Sequence, residues 1–283
     1  MPDVAVTLEA LLPAVRARLA QAGVEDAADE ALRLWSGLWR TTPAEAYLGR
    51  REAISGEAAA RFERAVERRA AGEPLAYVVG WTGFRRLLVG TDRRALIPRP
   101  ETEGVVDLLL ARLRSGVVAD IGTGTGCLAL ALADEGEFSA IHAIDASAEA
   151  LALAARNAEA VGATIRFHLG DLVAPLADGS CDALVANPPY LTAAEYAALD
   201  PSVRAWEPAE ALVSGADGLT HTRRLLDEGR RVVRGGGWVV IELDSQRAAA
   251  SAAIARHFGW ATVEVHTDLF GRERYLTARR SEA

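Results

Sequence analysis

Two periodicities divide the chain. Over residues 8–22, Leu8, Leu11, Leu12, Val15 and Leu19 recur at helical spacing, and a second helix is predicted over 27–38 with Ala31, Leu34, Trp35 and Leu38 on its apolar side. Thr42-Pro43 reads as an N-cap followed by proline at the first helical position, and Ser55 caps a further helix that turns Phe62, Ala65, Val66 and Arg69 to one side before Gly72 stops it. From Val117 onward short apolar runs take over. They predict strands over 117–121, 140–144, 164–169, 183–186, 238–243, 261–265 and 274–278, with helices over 127–133, 147–160, 218–233 and 245–258. Strands separated by helices imply a mostly parallel sheet of seven strands covered on both faces, with an antiparallel last strand.

Between these regions lies a Gly- and Pro-containing stretch. Residues 75–79 read as extended, and 84–89 with 95–97 read as a β-hairpin across Gly90-Thr91-Asp92. The stretch ends in Ile97-Pro98-Arg99-Pro100-Glu101-Thr102-Glu103, where prolines stiffen the chain and Glu101 or Thr102 opens a helix running through Leu113. The predicted organisation is a helical module over 1–72, a hairpin connector over 73–100 and an α/β domain over 101–283. The helical module is either a structural cap or a place to recognise a partner.

Composition narrows the classes. Half of the 283 residues are hydrophobic and a quarter charged, which is ordinary globular usage. No apolar run reaches the length of a membrane span and no basic flank precedes an apolar N-terminal core, so a soluble, unexported, cytoplasmic protein is expected. The net charge of -8 argues against avid binding to a phosphate backbone, and no direct nucleic-acid partner is expected. Cys127 and Cys181 are too few for a disulfide framework and read as small core residues; the five His lack ligand spacing, so no metal is expected.

The chemistry gathers at predicted strand ends. Asp120 closes the first strand and leads into Gly122-Thr123-Gly124-Thr125-Gly126, a turn whose missing β-carbons let the backbone approach a ligand. The spacing differs from the dinucleotide form, although such a turn can serve a dinucleotide as well, and the absence of Gly-Lys-[Ser/Thr] excludes a P-loop. Asp145 ends the second strand, roughly 20 residues beyond the turn, where a carboxylate can take both hydroxyls of a ribose. Asp171 and Leu172 follow the third. The fourth delivers Asn187-Pro188-Pro189-Tyr190, a rigid turn carrying an amide, carbonyls and an aromatic ring, able to hold a planar NH2 group. Aligned along one sheet edge, these elements fit a cofactor with a sugar and a base but no phosphate: the Gly turn for its amino-acid portion, Asp145 for the ribose, Asp171 for the base.

The Asp120–Gly126 turn, Asp145 and Asn187-Pro188-Pro189-Tyr190 together resemble class I S-adenosylmethionine-dependent methyltransferases that modify a planar NH2 group. Leu96-Ile97-Pro98-Arg99-Pro100-Glu101-Thr102-Glu103 resembles, more narrowly, the release factor glutamine methyltransferases. Glu73-Pro74-Leu75, Val203-Arg204 with Glu207-Pro208, and Asp268-Leu269 with Gly271-Arg272 are similar to the same family. The resemblance implies a Rossmann-like domain, S-adenosyl-L-methionine as cofactor, and transfer of its methyl group to the side-chain nitrogen of the Gln in the Gly-Gly-Gln loop of class I peptide-chain release factors. It implies Asn187, Pro188 and Tyr190 as catalytic residues. Asp120, Gly122, Thr123, Gly124, Thr125, Gly126, Asp145, Asp171, Leu172 and Asn187 would contact cofactor; Asn187, Pro188, Pro189, Tyr190, Arg99 and Glu101 would contact substrate. An adenine-type amino-methyltransferase shares Asn-Pro-Pro-Tyr, and a non-enzymatic cofactor-binding scaffold is the further alternative. Two segments depart from the family pattern: Ile241-Glu242-Leu243-Asp244, where a Gly is usual after the strand, and the basic Phe84-Arg85-Arg86. Neither is expected to touch the methyl-transfer centre.

Overall fold

The computed structural model describes residues 6–282. The chain divides into two compact units, Met1–Trp81 and Thr82–Ala283.

The first unit is helical. Its elements are α1 (Leu8–Gln21), α2 (Ala27–Trp39), α3 (Pro43–Leu48), α4 (Gly56–Ala70) and α5 (Leu75–Val79). The predicted caps form: Thr42 and Glu45 make a reciprocal capping box at α3, and the Ser55 side chain accepts from Ala58 N at α4. Leu8, Leu12 and Leu19 of α1 pack with Ala31 and Leu34 of α2 and with Phe62 and Val66 of α4. The segment predicted to be extended, 75–79, is instead the helical turn α5. Pro74 opens it, accepting from Tyr77 N and Val78 N at 3.0 Å each, and Gly80 closes it at φ +87°. The guanidinium of Arg68, held by Glu73, donates to Tyr77 O at 3.1 Å and Val78 O at 3.2 Å. Carbonyls that a short helix leaves unpaired are thus satisfied by a residue of α4, which overrides the extended preference of a Val-Val sequence.

The second unit follows with β1 (Trp81–Phe84), β2 (Leu87–Gly90), α6 (Glu103–Leu110), β3 (Ser115–Ile121), α7 (Cys127–Glu135), β4 (Glu137–Asp145), α8 (Ala148–Val161), β5 (Arg166–Leu169), β6 (Cys181–Ala186), α9 (Ala193–Ala198), α10 (Pro201–Trp206), α11 (Thr220–Val232), β7 (Val233–Glu242), α12 (Ala248–His257), β8 (Ala261–Thr267) and β9 (Glu273–Arg279). The predicted hairpin is shifted in register: β1 pairs with β2, and 95–97 is not a strand. Its turn is fixed by Arg85, which adopts φ +53°, donates its N–H to Glu103 at 2.7 Å and pairs its guanidinium with Glu135 and with Asp107 at 2.8 Å. Downstream, Asp92 accepts from Arg94 N and Ile97 N donates to Glu207, so these backbone groups bond to side chains and make no ladder.

The seven strands of the main sheet run in the order β5-β4-β3-β6-β7-β9-β8, with β9 antiparallel to both neighbours and the pairs from β5 to β7 parallel. Side chains alternate between two buried layers. Ile121, Leu184 and Ile241 meet Leu225 of α11 and Ala252 of α12 on one face; Val118, Val185 and Val240 meet Leu109 of α6, Leu130 of α7 and Ala158 of α8 on the other. The chain proceeds outward from β3 through β4 to β5, then returns to β6 on the other side of β3. That reversal opens a crevice beyond the carboxyl ends of β3 and β6, where parallel sheets hold ligands.

Candidate active site

The turn after β3 is built by backbone geometry. Gly122, Gly124 and Gly126 have φ of +71°, +56° and +86°, and Gly122 N and Thr123 N both donate to Ile144 O, at 2.9 and 3.0 Å. A Cβ on Gly126 would come within 3.2 Å of Ala154 as α7 and α8 approach, whereas one on Gly122 would meet nothing within 4 Å, leaving its backbone open to the crevice. Asp120 braces the turn from beneath. It is 1% exposed, accepts from Thr123 Oγ1 at 2.6 Å and from Ala129 N at 3.2 Å, and is pushed up to about 7 by burial against those hydrogen bonds.

The next strand ends add polar groups. At the end of β4, Asp145 accepts from Gly124 N through one oxygen and from Ser147 N through the other, both at 2.9 Å, and each oxygen keeps further acceptor capacity. Asp171 follows β5 in an ion pair with Arg224 at 3.0 Å, and Leu172 beside it takes φ +47°. Asn187 follows β6. Its Nδ2 donates to Thr102 Oγ1 at 3.0 Å, and that hydroxyl donates to Glu242 Oε2 at 2.6 Å. With Nδ2 engaged, Oδ1 is the atom left for a ligand.

The crevice has a volume of about 510 Å³ and is lined by Arg99 and Thr102, the turn from Gly122 to Thr125, Asp145, Asp171, Leu172, and Asn187 to Pro189. The structure therefore brings together most of the sequence-derived candidates. Gly126, Asp120, Glu101 and Tyr190 stand outside the lining. Glu101 takes part through its carbonyl, which accepts from Tyr275 Oη at 2.6 Å. Tyr190 is half-buried, and burial, with Glu242 nearby, pushes its phenol up to about 12, so it is neutral. Arg99 donates to Glu207, a 5% exposed carboxylate that also takes Ile97 N at 3.1 Å. This pins the loop ahead of α6 over the cleft. Cys127 and Cys181 are both buried, and burial pushes the Cys127 thiol up to about 12.

The departing segment Ile241-Glu242-Leu243-Asp244 makes no hydrogen bond to Asn187 itself, but Glu242 is one hydroxyl removed from it. Sequence reading placed Thr102 only at a helix start and had no signal joining it to a strand end 140 positions away. Pro208, Glu210 and His221, which also line the cleft, went unassigned for the same reason. Among the described residues no group of three or more His, Cys, Asp or Glu comes together as a metal site, and no helix is long and apolar enough to cross a membrane.

Family models match two stretches of the chain, the methyltransferase small domain over residues 102–203 and the PrmC N-terminal domain over residues 10–80. Release factor glutamine methyltransferase of Cereibacter sphaeroides is 40% identical over 93% of this chain and 94% of its own length. Its counterpart in Deinococcus radiodurans is 42% identical over 97% of this chain and 99% of its own. Among solved structures, a methyltransferase from Pyrococcus furiosus superposes with a TM-score of 0.54 at 18% identity, covering 80% of this chain and all of its own; it shares the fold.

Proposed function

Because the chain belongs to the release factor glutamine methyltransferase family, whose members use S-adenosyl-L-methionine, we propose that it methylates the side-chain nitrogen of the Gln in the Gly-Gly-Gln loop of class I peptide-chain release factors. The observation that carries this reading is Asn187, whose amide is anchored through Nδ2 so that Oδ1 is left for a ligand at the switch point of the sheet.

The residues present fit the cofactor. The open backbone at Gly122 would accommodate its amino-acid portion, the spare lone pairs of Asp145 would accept from the ribose hydroxyls, and the Gly170–Leu172 segment would hold the base. When bound, S-adenosylmethionine supplies an electrophilic methyl group on its sulfonium. The protein must make a poor nucleophile attack it, since the lone pair of a primary amide is delocalised into its carbonyl. Asn187 Oδ1 and the Pro188 carbonyl accept the two N–H groups of the glutamine amide. They fix the nitrogen in line for transfer and bind more strongly as it becomes cationic. Pro189 keeps the turn rigid, and the neutral Tyr190 beyond it stands outside the cleft lining. No strong base is required beforehand, because the proton leaves after the nitrogen has become positive. The helical unit recognises the release factor, and a substrate of this kind is met in the cytoplasm.

Incubation with methyl-labelled cofactor and a release factor, followed by peptide mass spectrometry, should put the label on the loop Gln. Label on added RNA or DNA with none on that Gln overturns the reading. Asn187→Ala is expected to raise the activation barrier by on the order of 3 kcal/mol while cofactor binding persists.

A further inference from the structure

Resting on the glutamine reading above, we infer that Thr102 and Glu242 are positioning residues that decide which way round the Asn187 amide stands. A side-chain amide has two nearly isosteric orientations. In one, Oδ1 faces the incoming N–H groups; in the other, Nδ2 does, and donors meet donors. What separates them here is a single hydroxyl proton. Thr102 Oγ1 lies 3.0 Å from Asn187 Nδ2 and 2.6 Å from Glu242 Oε2. An ionised carboxylate only accepts, so the Thr102 hydroxyl donates its hydrogen bond to Glu242. The hydroxyl then has only lone pairs to offer Asn187, which must turn Nδ2 toward it and Oδ1 away. Thr102 and Glu242 are each 2% exposed, so bulk water cannot replace either partner.

The arrangement reverses if Glu242 binds a proton. A neutral carboxyl can donate to Thr102, releasing the hydroxyl proton toward Asn187 Oδ1 and turning that oxygen away from the substrate. Several groups bear on this equilibrium. Arg274 on β9 and Arg99 ahead of α6 favour the carboxylate, Glu101 opposes it, and the hydroxyls of Tyr190 and Tyr275 and the Cys127 thiol lie near enough to feel its charge. Burial outweighs the hydrogen bond from Thr102 and the two arginines and moves Glu242 up to about 7. Methyl transfer is therefore lost as pH falls through about 7, and the limb belongs to a residue that touches neither substrate nor cofactor.

The test compares wild type, Thr102→Val, Thr102→Ser and Glu242→Gln, reading turnover on a release factor at saturating cofactor, cofactor affinity by calorimetry, and the Asn187 side-chain amide by nitrogen-edited NMR. Thr102→Val should lower kcat by about 10-fold or more with cofactor affinity changed less than about 2-fold; Thr102→Ser should recover most of the loss, and Glu242→Gln should lack the acid limb. Unchanged kcat in Thr102→Val overturns the inference. So does a parallel fall of turnover, cofactor affinity and melting temperature that Thr102→Ser fails to repair. If wild type transfers no methyl group to glutamine, the functional reading fails by itself, and NMR still decides the relay. A slowly exchanging Asn187 amide proton in wild type and Thr102→Ser that is lost in Thr102→Val supports it, and identical spectra in all three overturn it.

Discussion

Asp120 shows how a buried acid beneath a ligand turn makes folding depend on pH. Its carboxyl accepts from Thr123 and Ala129, yet burial raises it to about 7. For an acid raised above its unfolded value the stabilising contribution is full below that value, near 4, and is lost as pH climbs through about 7. Glu242 behaves alike. Asp120→Asn keeps an oxygen for both donors and removes the charge, so the variant should gain stability over wild type progressively between pH 4 and 8. Every tenfold difference in proton affinity between the folded and unfolded chain corresponds to about 1.4 kcal/mol. Urea denaturation across that range checks this, and a difference that does not grow with pH contradicts it. At this scale the site was legible where the chemistry is local. Gly turns, Asp145 beside Ser147, and Asn187 ahead of two prolines announce themselves within a few residues, because backbone geometry and turn chemistry act over that distance. Thr102 and Glu242 did not, because a hydroxyl and a carboxylate acquire a direction only from a partner that folding brings near.

Among the elements, the strands of the main sheet were the most readable. Ala183 to Ala186 are fully buried because helices cover both faces, and such strands show as unbroken apolar runs. The two misread elements owe their form to distant cations. α5 is held by Arg68 from α4, and the turn between β1 and β2 by the contacts of Arg85 with Glu103, Asp107 and Glu135. Pattern reading within a short window does not see either. Arg68→Ala removes the guanidinium that donates to the Tyr77 and Val78 carbonyls and is expected to destabilise the helical unit by about 1–3 kcal/mol. Hydrogen exchange should show faster opening of the α5 amides, and unchanged protection would count against the capping role.

At the scale of the molecule, the sheet is a partition between two apolar layers, and β6 runs through its middle. Leu184 is fully buried against α11 and α12 while its neighbour Val185 faces α6 and α7. Leu184→Ala should therefore lower stability by about 2–5 kcal/mol, the range for a cavity in a close-packed interior, read as a shift of the denaturant midpoint at constant slope. Asn187 begins where that strand ends, so the cavity also loosens the support of its side-chain amide, and turnover should drop more steeply with temperature than in wild type. The insertion of β9 between β7 and β8 has another consequence. β9 follows every other strand in the chain, so during synthesis on the ribosome the edge of β7 beside Glu242 stays open until residues 273–279 emerge. Until then β7 offers a free ladder to any passing strand, and the Glu101 carbonyl lacks the Tyr275 hydroxyl that donates to it. The edge of β7 that carries Glu242 is thus closed only by the strand that follows all the others.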